Sequence, residues 1–243
     1  MHKLILYYWK KKKFKKIYTI QNNAGAATYN YNNINYLLNI KIFKIYFTEH
    51  CYRHFDSYLI KKNKLFIHKQ IQIICKPVPF NFINIYKESI YFLKNLFFKK
   101  DNWKSPLLGA KGIGYEVLYY KIEISQITLF SLIGNKFLFE PFLEITYGVE
   151  RINNIKNINL IKEKFLSINN IYNKFSIKKI FFLYYQCILN LKKTNIYVSY
   201  YIFIKITNNF NLIDNFYLSN NYNRIKIINF VNLLSQNIMK KIL

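Results

Sequence analysis

Acidic residues are scarce in this chain: eleven stand against 37 lysines and arginines in 243 positions, for a formal net charge of +26. Glycine occurs six times, proline four times and cysteine three times. The cysteines, Cys51, Cys75 and Cys187, are odd in number and widely spaced, with no C-x-x-C pair. That excludes a disulfide framework and a zinc knuckle, and it fits a reducing compartment. Long apolar runs are lacking as well. Ile180 to Tyr185 and Tyr200 to Ile204 are interrupted by Gln186, Lys205 and asparagines, far short of the roughly 18 apolar residues of a spanning helix. A soluble, cytoplasmic protein with no membrane partner is expected. Lys10 to Lys16 lacks the apolar core and small-residue cleavage site of a secretory signal.

What is abundant is Lys, Asn, Ile, Tyr and Phe in every segment. Two causes of the basic excess stay open: selection for a polyanion through counterion release, and drift toward AT-rich codons. The length allows one substantial core, or a core with a smaller appended domain.

Between Asp101 and Arg151 the composition changes. This island holds five of the six glycines (Gly109, Gly112, Gly114, Gly134, Gly148) and six of the eleven acids (Asp101, Glu116, Glu123, Glu140, Glu144, Glu150). Glycine is wanted where backbone turns sharply or approaches a ligand, and carboxylates persist where an amine, a metal or a partner needs them. The island reads as the active site.

Lys69 to Lys76 alternates, with Gln70, Gln72 and Ile74 on one face and Ile71, Ile73 and Cys75 on the other, until Pro77 and Pro79 remove ladder donors. Glu116 to Leu118 and Ile122 to Phe130 read as strands joined by a turn near Tyr120-Lys121. Gly134-Asn135 makes a second turn before Phe137 to Phe139. As a hairpin, the first pair lets Glu116 and Glu123 face the same side. After Thr146 the period changes: Val149, Ile152 and Ile155 recur at helical spacing, so a strand carrying Glu144 runs into a helix carrying Glu150 and Arg151. Ile228, Val231, Leu234, Ile238 and Ile242 form one stripe of a C-terminal helix. The expected class is α+β, an antiparallel sheet in the first two thirds followed by helices.

Gly109-Ala110-Lys111-Gly112-Ile113-Gly114 is G-x-x-G-x-G with no helix after it, which excludes a dinucleotide loop. His50, Cys51 and His54 lack a fourth ligand and a helical frame, so they read as a loop coincidence rather than a metal site.

The island is more specific than its composition. Asp101-Asn102-Trp103, Pro106, Leu108-Gly109-Ala110, Gly112 to Val117, Glu123 to Gln126, Thr128, Phe130 and Glu144-Ile145-Thr146-Tyr147-Gly148-Val149-Glu150-Arg151 resemble, in order, the α subunit of bacterial-type heterotetrameric glycyl-tRNA synthetase. The last stretch looks like motif three of class II aminoacyl-tRNA synthetases, and Gln70 to Pro79 resembles the return strand of motif two. Gly25-Ala26-Ala27-Thr28 and Phe210 to Asp214 resemble further segments of the family. There are departures. The motif-two loop, Cys51 to Lys64, offers only Arg53, while Lys111 and Tyr115 replace family tryptophans and Leu143 replaces a glycine.

The resemblance implies a class II catalytic core over residues 1–155, with the antiparallel sheet flanked by helices, and a C-terminal helical domain over 156–243. It implies activation of glycine with ATP and Mg2+, and transfer of the glycyl group to tRNA with a β subunit in an α2β2 tetramer. Arg151 would hold the triphosphate, and Arg53 would bridge the glycine carboxylate and α-phosphate. Glu116 and Glu123 would orient Mg2+ or the arginines. Glu144 would receive the glycine ammonium, with Thr28, Gln70, Gln72, Trp103, Gln126 and Thr146 around the substrate. The competing reading is a degenerate paralogue, a basic RNA-binding module that keeps the fold without the chemistry.

Overall fold

The computed structural model describes residues 1–19, 42–52, 67–153, 155, 177–215 and 221–242. Its centre is a seven-stranded sheet: β1 (Lys15–Lys16), β2 (Phe43–Tyr52), β3 (Ile67–Lys76), β4 (Phe97–Ser105), β5 (Ala110–Tyr119), β6 (Ile122–Ile133) and β7 (Lys136–Gly148). The strand order is β1-β2-β3-β7-β6-β5-β4. Every pairing is antiparallel except the short parallel contact of β1 with β2. The helices are α1 (His2–Lys11), α2 (Phe82–Ser89), α3 (Val149–Asn153), α4 (Ile177–Lys192), α5 (Ile196–Asn215) and α6 (Asn221–Ile242).

Both expected turns are present, and both have the two left-handed central residues that let a tight hairpin follow the twist of its strands. Tyr120 and Lys121 have φ of 46° and 66°, and Gly134 and Asn135 have 55° and 58°. Phe137 to Phe139 belongs to a longer element, since β7 runs without a break to Gly148. Pro141 lies in the stretch where the β6–β7 register shifts, between the Leu132↔Phe137 and Phe130↔Phe142 pairs, where its missing N–H disturbs no regular ladder.

Alternation along the strands sends side chains to two different cores. On one face, Phe43, Ile45, Phe47, Ile74, Phe130 and Phe142 join Leu183 and Cys187 of α4, Phe203 and Ile206 of α5, and Val231, Leu234 and Ile238 of α6. On the other, Ile71, Ile73, Val117, Ile127 and Ile145 pack with Ile5 and Trp9 of α1, Tyr86 of α2, and Val149 and Ile152 of α3. The C-terminal stripe read from the sequence is the buried side of α6. That helix is further tied to the β4–β5 connection, because Asn232 Nδ2 donates to the Pro106 carbonyl (2.6 Å) and Ser235 Oγ to the Leu108 carbonyl (2.7 Å).

Several elements escape the period analysis. The basic Lys10 to Lys16 is the last turn of α1 followed by β1, with Ile5 and Trp9 one helical turn apart on the buried side. Of the G-x-x-G-x-G stretch, Gly109 ends the turn before β5 and the rest opens that strand. Its glycines serve the sheet: a Cβ on Gly112 would stand 2.8 Å from the Leu129 carbonyl oxygen, and one on Gly114 would collide with the Ile127 carbonyl. These two glycines let β5 crowd β6.

Candidate active site

The register places most of the expected site residues on one face. One cross-strand row reads Phe47, Gln72, Thr146, Gln126, Glu116, Lys99. The next reads Ile45, Ile74, Glu144, Thr128, Gly114, Asp101. On one side of these rows lies Glu49 opposite Gln70, itself opposite Gly148; on the other lies the row of Phe142, Phe130, Gly112 and Trp103. Period-two alternation puts all of these side chains on the face that also receives the C-terminal helices. The result is a polar patch bounded by aromatics. Phe130 stacks on Phe142 at 5.0 Å, and Trp103 meets Phe130 edge-on, also at 5.0 Å.

The centre of the patch is dry. Gln70, Gln72, Thr128 and Glu144 are buried, whereas Gln126, Thr146, Glu116, Asp101 and Trp103 are half-buried. Gln70 is bound on two sides, accepting from Cys51 Sγ at 3.3 Å and lying 3.1 Å from the His68 ring nitrogen. Gln72 Nε2 donates weakly to Gln70 Oε1 at 3.4 Å, and Gln72 Oε1 is buried with no hydrogen-bond partner among the described residues. A buried acceptor left without a donor is costly, so a donor from a water or a ligand would be favourable at this atom.

Toward β4 the patch becomes charged. Lys99 Nζ pairs with Glu116 at 2.8 Å, and its affinity for the proton is raised first by Glu116 and further by Asp101 and Glu123. Gln126 Nε2 donates to Asp101 Oδ2 at 2.8 Å. Arg151, on α3, donates from Nη1 to the Glu123 carbonyl at 2.7 Å and lies 3.3 Å from the Glu123 carboxylate. The side chain of Arg151 passes over Gly148, where a Cβ would stand 3.7 Å from its Cδ. Glu116 pairs with the Lys99 ammonium, and Glu123, opposite Leu118 in the register, lies on the same side of the hairpin as Glu116. Both are engaged by cations, one by lysine and the other by arginine.

Three residues near the site had no role assigned from sequence. Lys99 and Asp101 belong to the same alternation as Trp103, two residues apart each time, but the aromatic and basic background of Phe97 to Ser105 hid that strand. Glu150 accepts the Lys69 amide N–H with both oxygens, at 2.8 and 3.0 Å, and so fastens α3 to the start of β3. Thr28 and Arg53, with the Gly25 to Thr28 segment and all but Cys51 and Tyr52 of the Cys51 to Lys64 stretch, lie outside the described residues. His54 does too, and no group of three metal-ligating side chains occurs among the described residues. No described helix is long and apolar enough to cross a membrane.

Comparison with known proteins gives this geometry a family. A glycine–tRNA ligase alpha subunit from Coprothermobacter proteolyticus is 38% identical over 136 residues, covering 53% of this chain and 47% of that protein. A glycine–tRNA ligase from Chlamydia pneumoniae is 38% identical over 136 residues, covering 53% of this chain and 14% of that longer protein. The match thus spans about half the length of the first relative and a smaller share of the second. Among solved structures, PylSc, a pyrrolysyl tRNA synthetase from Desulfitobacterium hafniense, aligns over 68% of this chain and 72% of its own with a TM-score of 0.47 and 11% identity. The family profile described as glycyl-tRNA synthetase alpha subunit matches residues 1–182, and with three quarters of its length inside that match the chain belongs to the glycyl-tRNA synthetase alpha subunit family.

Proposed function

We propose that this chain activates glycine with ATP, forming glycyl-adenylate and pyrophosphate, and passes the glycyl group to tRNA together with a β subunit. The observation that carries the reading is the pair formed by the buried Glu144 carboxylate and the unpartnered Gln72 Oε1 on one sheet face. An ammonium brings three donors and one positive charge; Glu144 supplies the opposite charge and Gln72 an open acceptor. Gln70, Gln126, Thr146 and Trp103 would fill the surrounding volume, and the family resemblance adds Thr28, which lies outside the described residues. A substrate with no side chain is selected by such filling, because an added methyl has nowhere to go.

Adenylate formation needs little proton transfer. It needs the carboxylate and the α-phosphate held in line and the charge of departing pyrophosphate neutralised. Arg151 would give its guanidinium to the triphosphate, exchanging part of its contact with Glu123 for phosphate oxygens, while the Glu123 carbonyl keeps the group aimed. Arg53 would join the glycine carboxylate to the α-phosphate. Glu116 and Glu123, on one side of the hairpin, would offer two carboxylates to a cation that shares its remaining positions with phosphate and water. Mg2+ held there would neutralise charge on the phosphates.

Residues 1–155 would be the catalytic core and 156–243 a helical domain, with the α2β2 tetramer as the working assembly. The test is glycine-dependent ATP–pyrophosphate exchange. Exchange that needs glycine and is not supported by alanine supports the reading. Tight RNA binding with no exchange, alone or with a β subunit, would instead favour a basic RNA-binding module that has lost the chemistry.

A further inference from the structure

Behind the polar patch, on the opposite face of the same strands, lies a group of hydroxyls in an otherwise apolar core. Tyr147 OH is 2.6 Å from Ser89 Oγ and accepts from Trp9 Nε1 at 3.2 Å. Ser89 Oγ also lies 2.6 Å from the Tyr86 carbonyl oxygen, and Tyr86 OH hydrogen-bonds Ser125 Oγ. The Tyr86 and Tyr147 rings stack at 5.6 Å. None of these five residues is more than 3% exposed. Burial raises the proton affinity of both phenols, so they stay neutral and act as hydroxyl donors and acceptors only.

Their place in the register gives them meaning. Ser125 and Tyr147 are cross-strand partners, and the adjacent pair is Gln126 and Thr146, which project to the opposite face. Helix α2 supplies Tyr86 to the β6 member and Ser89 to the β7 member, so one short helix grips both strands directly beneath the patch. The Gly134-Asn135 turn and the ladder set the β6–β7 register, and the hydroxyls add directional contacts that the aliphatic packing on this face lacks. A two-residue slip of β6 against β7 would merely set Ile127 against Leu143 instead of Ile145, one aliphatic contact for another. The same slip would set Gln126 against Glu144 and would part Ser125 from Tyr147, leaving buried hydroxyls without partners.

We propose that Tyr86, Ser89, Ser125 and Tyr147 form a hydroxyl clamp that fixes where Gln126 and Thr146 stand, making them positioning residues for glycine selection. This rests on the glycine pocket proposed above. None of the four touches substrate; they act through the strand pair.

The test compares Tyr147→Phe and Ser125→Ala, which each remove one oxygen, with Ile73→Val, which loosens the same apolar core without touching the clamp. Glycine and ATP KM, kcat, the preference for glycine over alanine, and the melting temperature are measured for each in exchange-competent protein. The clamp variants should raise glycine KM and lower the glycine-over-alanine preference by about fivefold, with ATP KM changed less than about twofold, the signature of lost substrate positioning. Ile73→Val should lower the melting temperature and leave both ratios at the parental value. The clamp is overturned if its variants lose melting temperature as Ile73→Val does while glycine KM and preference stay parental. It is also overturned if both unfold where Ile73→Val folds, because the hydroxyls then serve folding alone. A parent with no glycine-dependent exchange overturns the pocket reading instead, whereas an active parent with indifferent variants overturns only the clamp.

Discussion

The two faces of strands β6 and β7 come from one run of residues and do opposite things. Gln126, Thr128, Glu144 and Thr146 face a polar patch, with an acceptor on neighbouring Gln72 left open. Ser125, Ile127, Ile145 and Tyr147 face a dry core in which the Ser125 and Tyr147 hydroxyls are partnered. The difference teaches where tolerance lies. The polar patch keeps an unsatisfied acceptor, while the opposite face closes its hydrogen bonds internally.

The largest expected effect would break both faces at once. Gly114→Ala drives a Cβ into the Ile127 carbonyl, a backbone atom that cannot rotate away. We expect a loss of about 3 kcal/mol, at the upper end of overpacking costs, read from the urea unfolding midpoint, with exchange activity falling alongside. Unchanged unfolding would mean that β5 and β6 are not held this close.

Arg151→Ala should separate chemistry from fold. Its guanidinium is half-buried and bonded to Glu123 rather than packed in a core, so melting should stay near the parent. Exchange should fall about 10²-fold or more through lost charge stabilisation. Exchange at the parental rate would place the nucleotide elsewhere.

Glu144→Gln sharpens the comparison on the polar face. It keeps the shape and removes the charge, so glycine binding should weaken by about 1.5–3 kcal/mol, the range for a hydrogen bond to a charged group. Thr146→Gly in the same row should instead raise alanine or serine activation relative to glycine. An unaltered glycine KM in Glu144→Gln would remove that carboxylate from the pocket.

The smallest effect concerns the thiols of the two cores. Burial pushes Cys75 up to about 12, with nearby Lys44 opposing, and pushes Cys187 up to about 12 as well. Each folded thiol therefore holds its proton more tightly than the unfolded one, whose ordinary value is about 8.5. Their contribution to stability is complete below that value and is lost progressively as pH rises toward about 12. Melting temperature should decline over that window, less so in Cys187→Ala measured against its own neutral-pH value, and a thiol reagent at neutral pH should label these positions only after unfolding. Rapid labelling of native protein would contradict the burial.

Much of this was legible in the sequence wherever a pattern was local. Alternation from Lys69 to Cys75 separates Gln70 and Gln72 from Ile71 and Ile73 as the strand does, and Tyr120-Lys121 and Gly134-Asn135 mark the turns correctly. The α6 stripe and the switch from strand to helix at Val149 follow from period alone. By contrast α1, α2, β2 and β4 were obscured, because isoleucine, tyrosine and phenylalanine are so frequent that buried and exposed positions look alike. Tyr7 and Phe97 are exposed while Trp9 and Tyr86 are buried, and no neighbouring residue types foretell it.

The sequence by itself determined the family, the turns, the polar face of β3 and the carboxylates and arginine of the Asp101–Arg151 island, all of which depend on neighbours a few positions apart. Only the tertiary structure decided that Gly112 and Gly114 serve strand contact, that Glu150 fastens α3 to β3, that Glu123 holds Arg151, and that Tyr147 and Ser125 share a helix behind the polar patch. Those relations join residues 13 to 81 positions apart. Their energies depend on distances that exist only once the strands have paired, and no local period encodes them.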